Sequence, residues 1–262
     1  YGDWLNADTF ALKRFPKGRA ETPLPVFATA LYARSVGMLA EMAAVTGRTA
    51  ASDELAALRA EIVDAFRDAY VGDDGEIEGD TQGAYAFALA YDLLPAELHA
   101  QAVDRLVAGI EEFDGHLSTG FLSTIEALKL LSANGHNDLA YRLVTSESFP
   151  SWGFMLAHGA TTIWERWDGY VPGRESDEFQ DPGMNSFNHY SIGAVGEWIV
   201  RTIGGLRLDE SSTESSGFTR FVIEPQPGPG VDWADMTFQS AKGPIAINWR
   251  TRDNGEISIR AT

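Results

Sequence analysis

The sequence predicts a mainly α-helical fold followed by a small antiparallel β unit. Apolar residues recur at helical spacing from Leu24 to about Gly205, and no strand pattern interrupts them. Near the end of the chain the pattern changes, because Ile245, Ile247 and Trp249 alternate with smaller or polar neighbours. Helices joined by short turns indicate antiparallel hairpins, and the lack of a fixed-period repeat favours a closed toroid over a regular solenoid.

The first predicted hairpin begins after Leu24. Its first helix ends at Gly47, and its second helix is expected to have Ser52 as N-cap, with Asp53 and Glu54 in the first turn. The spacing predicts that each helix buries one apolar stripe, formed by Phe27, Leu31, Met38, Met42 and Val45 in the first and by Leu55, Leu58, Ile62 and Phe66 in the second.

The helical pattern continues through residues 82–94, and Pro95 suits the first position of the following helix. Further helices are predicted at residues 121–133, where Gly135 provides the C-terminal cap, at 137–144 and at 190–203. The expected buried positions are Leu98, Ala102, Leu106 and Ile110 in the helix after Pro95, and Ala194, Trp198 and Ile199 in the last helix.

The composition changes after residue 206. A run rich in serine and acidic residues indicates an exposed linker over residues 207–217. Strand character follows at residues 218–223 and 236–239, and Asn254-Gly255 predicts a hairpin turn near the end of the chain. The sequence therefore predicts a helical domain over 1–206 and a β unit over 218–262.

The charge balance excludes several classes of partner. The chain has 20 basic and 38 acidic residues, for a net charge of −18, which repels nucleic acid and anionic membrane surfaces. The sequence contains no stretch of about 18 apolar residues, so no membrane span is predicted. The absence of cysteine excludes disulfides, thiolate metal sites and a cysteine nucleophile, but it does not fix the compartment.

No common catalytic or cofactor signature is present, so we expect no cofactor. The five histidines lack metal-ligand spacing. The acidic loop at residues 73–80 is a possible site for structural calcium, but it lacks the alternating ligands of an EF-hand. A solvated loop is the favoured interpretation.

The residues that suggest chemistry are concentrated between Pro150 and Tyr190. Three of the seven tryptophans lie within residues 152–167, together with Glu165 and Arg166. Sugars present C–H faces to aromatic rings and hydroxyls to polar groups, so this mixture is typical of a carbohydrate pocket. The alternative is that the tryptophans belong to the core and that Glu165 and Arg166 form a surface ion pair.

Several segments, in order along nearly the whole chain, resemble glycoside hydrolase family 78, the bacterial and fungal α-L-rhamnosidases. They are Tyr-Gly-Asp-Trp-Leu at 1–5, His-Leu at 116–117 with Gly-Phe-Leu at 120–122, Pro-Ser-Trp-Gly at 150–153, Thr-Thr-Ile-Trp-Glu-Arg-Trp at 161–167, Asn-Ser-Phe-Asn-His-Tyr at 185–190 and Gly-Ala-Val-Gly-Glu-Trp at 193–198. The family more often has glycine after Phe-Leu, where this chain has Ser123.

This resemblance implies a six-hairpin α/α barrel followed by a β-sandwich, of which the chain would hold the C-terminal part of the barrel and an incomplete sandwich. It implies an inverting hydrolase that removes terminal α-L-rhamnosyl residues from a rhamnose-containing glycoside, with Glu165 as general base. The family's general acid precedes the Gly-Asp-Trp segment. Because the sequence begins at Tyr1 without an initiator methionine, we expect the acid and the missing barrel helices to lie upstream.

The resemblance also suggests residues that bind the sugar. His189 resembles the family's sugar-binding histidine, with Asn188 and Tyr190 beside it. Trp4, Trp152 and Trp164 are candidates for an apolar surface against the methyl group of rhamnose. Asp3 is either a hydroxyl ligand or a helix cap. Either Arg166 or His189 is expected to face Glu165 and favour its charged form.

Two other functions remain open from the sequence. A different α/α-barrel glycosidase or lyase would share the fold, because a fold does not determine a function. A non-catalytic carbohydrate-binding or scaffold fragment would share the aromatic pocket. An upstream motif rich in acidic residues, arginine and tryptophan would favour the rhamnosidase.

Overall fold

The structure, a computed structural model, describes residues 2–6, 20–171, 173, 185–212 and 215–262. The helices in these ranges are α1 (Leu24–Val45), α2 (Thr49–Tyr70), α3 (Gln82–Ala90), α4 (His99–Glu112), α5 (Phe121–Ala133), α6 (Asn137–Thr145), α7 (Trp152–Ala157), α8 (Tyr190–Gly193) and α9 (Val195–Trp198). A π-helical segment at Ile199–Ile203 continues α9. The strands are β1 (Leu206–Leu208), β2 (Phe221–Ile223), β3 (Trp233–Ser240), β4 (Gly243–Thr251) and β5 (Ile257–Ala261).

Sequential helices pair as hairpins, and alternate helices form the inner layer. α1 packs along α2, while α3 packs against both α4 and α5. Every residue of α3 from Gln82 to Leu89 is buried, whereas α4 buries one stripe made of Ala102, Val103, Leu106 and Ile110. α3 and α5 therefore lie inside, with the amphipathic α4 outside. The predicted hairpins and the predicted helix at 121–133 are confirmed.

The predicted buried stripe of α1 is wrong at three of its five positions, whereas Phe27 and Leu31 are half-buried and pack against the core. Its buried positions are instead Val26, Ala30, Ala33, Val36, Ala40 and Ala43. Met38, Met42 and Val45 are exposed, by 46%, 55% and 82%. A Cβ atom placed on Gly37 would lie 3.0 Å from the Arg59 side chain of α2, so the two helices approach closely. Small residues permit this approach, and the larger ones are displaced from the interface.

Two predicted details of helix ends also differ. α2 begins at Thr49, so Ser52 does not cap it, and its first turn has no acidic residue. The Ser52 hydroxyl donates instead to the carbonyl of Ala40, at 3.0 Å, and joins α2 to α1. Pro95 precedes a short 3₁₀ turn at Ala96–Leu98 that leads into α4.

The helix predicted at 190–203 is broken into α8, α9 and the π-helical segment. Trp198 is fully buried as predicted, and its Nε1 donates to the Ser132 hydroxyl at 2.8 Å. Ile199 is 40% exposed, so that part of the prediction is wrong, and Ala194 is half-buried. The π-helical hydrogen bonds that begin at Ile199 widen the turn and shift which side faces the core.

The β unit consists of a two-stranded sheet, β1–β2, and a three-stranded antiparallel sheet, β3–β4–β5. The predicted alternation in β4 is confirmed, because Ile245, Ile247 and Trp249 are all buried. They form a second core with Leu206 of β1. β1 places residues 207–208 of the predicted linker in a strand.

Hydrogen bonds to backbone atoms join the β unit to the helices. Trp249 Nε1 donates to the carbonyl of Ile203, at 2.6 Å, and the Tyr141 hydroxyl donates to the carbonyl of Gln226, at 2.7 Å. The amide of Gln226 donates to the carbonyl of Thr202 at 2.9 Å. No helix in the described ranges combines the length and the apolar character needed to cross a bilayer.

Candidate active site

Two short segments, 163–169 and 185–189, lie side by side and hold the residues that the sequence singled out. The amide of Glu165 donates to the carbonyl of Ser186 at 2.8 Å, and the amide of His189 donates to the carbonyl of Ile163 at 2.9 Å. The Asn185 side-chain amide donates to the carbonyl of Gly169, at 2.5 Å. We call this pair of segments the ladder. It brings Glu165 and His189 together although they lie 24 residues apart in the sequence.

The Glu165 carboxylate is partly exposed and is fixed by the ladder. Its Oε2 accepts a hydrogen bond from the amide of Ser186, at 2.9 Å. A backbone donor does not rotate, so this bond sets the direction of the carboxylate. An oriented, accessible carboxylate is suited to accept a proton from water.

Arg166 does not pair with Glu165, so the alternative of a surface ion pair between these two residues is wrong. Its Nε lies 3.1 Å from Oδ1 of Asp168, and both side chains are almost fully buried. Trp164 and Trp167 flank this pair in the sequence and are also buried. Removing either partner would leave the other buried without its counter-charge, which is strongly destabilising. The Arg166–Asp168 pair thus anchors the turn behind Glu165.

The tryptophans of this region are core residues. Trp152, Trp164 and Trp167 are exposed by only 6%, 4% and 2%. Trp152 and Trp167 meet edge to face at 4.8 Å, and Trp152 Nε1 donates to the carbonyl of Ile192 at 3.2 Å. The burial of Trp152 and Trp164 favours the core interpretation and leaves little ring surface for a ligand. Trp4 is only partly buried and retains more.

His189 is half-buried at the start of α8. Its Nδ1 accepts a hydrogen bond from the amide of Ser191, at 3.2 Å. The neutral ring therefore carries its proton on Nε2, which can donate to a ligand. The His189 ring lies 5.3 Å from the ring of Phe121 and stacks on Tyr190 at the same distance.

An open cavity of about 620 Å³ lies beside the ladder. Its lining combines an imidazole, a phenol, an amide and a hydroxyl with an apolar base, a composition suited to a polar ligand with an apolar group. The lining residues are Thr162, Ile163, Asn188, His189, Tyr190, Gly193 and Ala194. Of the predicted substrate-binding residues, this places His189 and the exposed Asn188 at the cavity.

Asp3 is buried, and its contacts favour the helix cap among the two predicted roles. Its oxygens accept hydrogen bonds from the amides of Gly120, Leu122 and Ser123 at the start of α5, at 2.9, 3.1 and 3.3 Å, and from the Ser123 hydroxyl. Burial raises the pKa of the Asp3 carboxyl above its ordinary value, although these hydrogen bonds oppose the shift. The next residue, Trp4, accepts at its carbonyl from the amide of Phe121, at 2.9 Å.

Sequence reasoning did not assign roles to Ser186, Ser191 and Phe121. All three lie within or next to segments that carry the resemblance, but their roles depend on backbone amides and ring contacts that have no sequence signature. Among the residues that the structure describes, no group of three or more His, Asp or Glu side chains is arranged to hold a metal ion. In the acidic loop, Arg105 lies 3.0 Å from Asp74 and 3.4 Å from Glu76.

Comparison with known proteins identifies families that this chain resembles. Residues 1–203 match the family described as the bacterial alpha-L-rhamnosidase 6 hairpin glycosidase domain, and residues 205–261 match the bacterial alpha-L-rhamnosidase C-terminal domain. An alpha-L-rhamnosidase of Streptomyces avermitilis is 44% identical over 98% of this chain, and one of an Alteromonas species is 32% identical over 99%. The chain spans only 23% and 28% of the lengths of these two relatives.

Solved structures show the same similarity. The structure of the Streptomyces avermitilis alpha-L-rhamnosidase complexed with L-rhamnose superposes with a TM-score of 0.88 at 42% identity, covering all of this chain and 23% of that one. The alpha-L-rhamnosidase from Aspergillus terreus superposes with a TM-score of 0.88 at 29% sequence identity. This match covers all of the present chain and 29% of the Aspergillus terreus chain. The helical hairpins are therefore part of an α/α barrel, and the chain belongs to the bacterial α-L-rhamnosidase six-hairpin glycosidase family.

Proposed function

We propose that this chain is part of an inverting glycoside hydrolase that removes terminal α-L-rhamnosyl residues from glycosides or polysaccharides. The observation that carries the proposal is the ladder, which orients the Glu165 carboxylate two residues from Ile163, a residue that lines the same cavity as His189. The likeness to an alpha-L-rhamnosidase complexed with L-rhamnose supports the choice of sugar.

Glu165 is the proposed general base. Its Oε2 is held by the amide of Ser186, and we assign Oε1 to the attacking water. As the water oxygen forms a bond to the anomeric carbon, the glycosidic C–O bond breaks and Glu165 takes a proton from the water. A second carboxyl group protonates the leaving oxygen, and inverting enzymes place the two carboxyls about 6.5–9.5 Å apart to admit the water.

The proposed sugar contacts lie around the cavity. His189 Nε2 donates to a rhamnose hydroxyl, because Nδ1 is already engaged by Ser191. Asn188 offers an exposed amide, and the 84% exposed Tyr190 offers a ring face. Of the three tryptophans suggested as sugar contacts, Trp4 is the most exposed, and we assign it to the methyl group of the sugar. Trp152 and Trp164 are buried, and we assign them a structural role.

We further propose that the chain works within a longer polypeptide, which supplies the general acid and the remaining barrel helices. The chain spans about a quarter of the length of its relatives. The exposed side chains of α1 include Tyr32, Met38, Leu39 and Met42, each exposed by at least 46%. The 262-residue chain alone is therefore expected to hydrolyse an aryl α-L-rhamnoside poorly and to self-associate.

The test is Glu165→Gln in the complete polypeptide. The amide keeps the shape of the side chain but cannot take the proton, so kcat is expected to fall about 10²–10⁴-fold while rhamnose binding survives. Glu197→Gln is the matched control, because Glu197 lies on α9 and pairs with Lys129 at 3.6 Å. In Glu165→Ala, azide should restore turnover and yield the β-rhamnosyl azide. Near-wild-type kcat in Glu165→Gln would contradict the assignment.

The same measurements separate the alternatives. Binding of L-rhamnose without hydrolysis by the complete polypeptide would favour a carbohydrate-binding function. Turnover of a different glycoside, with none of an α-L-rhamnoside, would favour another α/α-barrel glycosidase or lyase. An α-configured product from an α-rhamnoside would exclude inversion.

A further inference from the structure

The carboxylate of Asp3 replaces a local cap at the start of α5. Gly120, the residue before α5, has no side chain to cap the helix. The first amides of a helix lack partners within it, so they need acceptors from elsewhere. Asp3, 117 positions away, accepts from the amides of Gly120, Leu122 and Ser123. The carbonyl of Trp4 accepts from the remaining amide, that of Phe121.

The fit between these two segments is close. A Cβ atom on Gly120 would lie 2.7 Å from Cγ of Asp3, and one on Gly83 would lie 3.1 Å from its Oδ2. Asp3 is only 5% exposed. Because neither segment can move without a clash or a lost hydrogen bond, residues 3–4 determine where α5 begins.

The start of α5 also determines where one wall of the proposed sugar site lies. Phe121 is the first residue of α5, and its ring lies 5.3 Å from the ring of His189. His189 lines the cavity, and its Nδ1 is held by Ser191. A displaced Phe121 would remove one of the two aromatic rings that contact the imidazole within the described part of the chain.

We propose that Asp3 is a positioning residue for the sugar site: its carboxylate fixes the start of α5, and Phe121 transmits that position to the ring of His189. Asp3 itself does not touch the sugar. The proposal rests on the proposed function in that His189 is taken as a sugar ligand. It differs from a purely structural cap in predicting an effect on substrate affinity that depends on His189.

The first test is Asp3→Asn in the complete polypeptide. Four donors surround the Asp3 carboxylate, namely three backbone amides and the Ser123 hydroxyl. The NH₂ group of asparagine is itself a donor and would face at least one of them, so the charge-assisted cap is lost. We expect KM for an aryl α-L-rhamnoside to rise about tenfold, with kcat at saturation changed less than about threefold. Tyr141→Phe is the control, because it removes a partly buried hydrogen bond at the β unit and should lower stability without changing KM.

The second test asks whether the effect passes through His189. In a His189→Ala background, Asp3→Asn should change KM by less than about twofold, because coupled residues are not additive. Phe121→Leu leaves the cap intact and removes only the ring, so it should reproduce the rise in KM even if Asp3→Asn folds poorly. A wild-type KM in Phe121→Leu, or an undiminished effect of Asp3→Asn without His189, would overturn the proposal.

A crystal structure of Asp3→Asn gives a readout that needs no activity. We expect the Phe121 and His189 ring centroids to separate beyond the 5.3 Å of the wild type, while in Tyr141→Phe they stay in place. Unchanged rings in Asp3→Asn would refute the positioning role. Failure of the wild-type polypeptide to hydrolyse any α-L-rhamnoside would instead refute the proposed function, and the ring positions would still decide the role of Asp3.

Discussion

The helical part and the β unit of this chain differ in how they are held together. The helical part has one large core that includes fully buried Phe66, Phe87 and Trp198. The β unit has a small core of Leu206, Ile245, Ile247 and Trp249, and every residue of its edge strand β5 is exposed. A core of that size stabilises little by itself. The comparison indicates that the β unit depends on the helices for its stability.

The two regions also differ in what they carry. Glu165, His189 and Asp3 all belong to the helical part, whereas the β unit contributes contacts such as the Trp249 and Gln226 hydrogen bonds to Ile203 and Thr202. Both contacts lie at the C-terminal end of the π-helical segment that follows α9. We infer a division of labour in which the helices hold the site and the β unit stabilises the end of the barrel.

Deletion of residues 218–262 is expected to have the largest effect. It leaves β1 without its partner strand and exposes Leu206, Ile203 and Tyr141, so the remainder should lose solubility or unfold at much lower temperature. Thermal unfolding and gel filtration of the deleted and complete polypeptides measure this. A truncated protein of unchanged stability that had specifically lost rhamnose binding would show that the β unit is part of the site.

Trp249→Ala should produce the next largest loss. The indole is fully buried and its Nε1 donates to the carbonyl of Ile203, so its removal leaves both a cavity and an unpaired carbonyl. Phe or Trp to Ala changes in cores cost about 3–5 kcal/mol. Chemical denaturation measures the loss, and Trp233→Ala, at a 56% exposed position, is the control. Equal effects of the two variants would show that the second core contributes little.

The smallest effect concerns pH and lies in the helical part. Burial raises the pKa of Asp3 in the folded state, so the folded state binds a proton more tightly than the unfolded state does. Between the unfolded pKa, about 4, and the higher folded pKa, this group makes the protein less stable as pH rises, by at most about 1.4 kcal/mol per pH unit. Asn at position 3 does not titrate.

The measurement is therefore the stability of the wild type minus that of Asp3→Asn, followed from pH 4 upward by thermal unfolding. This difference should decrease with rising pH and then level off. An increase over the same range would mean that the four hydrogen bonds to the carboxylate outweigh its burial.

Much of the molecule was determined by local sequence. Periodicity identified the helical hairpins, the turn chemistry of Gly135 ended α5 correctly, and the alternation of Ile245, Ile247 and Trp249 identified the inner face of β4. The ordered motifs are sufficient to identify the family without reference to the fold. These features depend on residues a few positions apart, where backbone geometry alone determines which side chains share a face.

Other features were decided only by tertiary structure. Two stripes of α1 have helical spacing, and close contact with α2 selects the alanine-rich one. Asp3 finds its partners 117 to 120 positions away, and Arg166 pairs with Asp168 and not with Glu165. The sequence names the groups able to form such pairs, but their choice depends on which segments the fold brings into contact and on the cost of burying a charge without a partner.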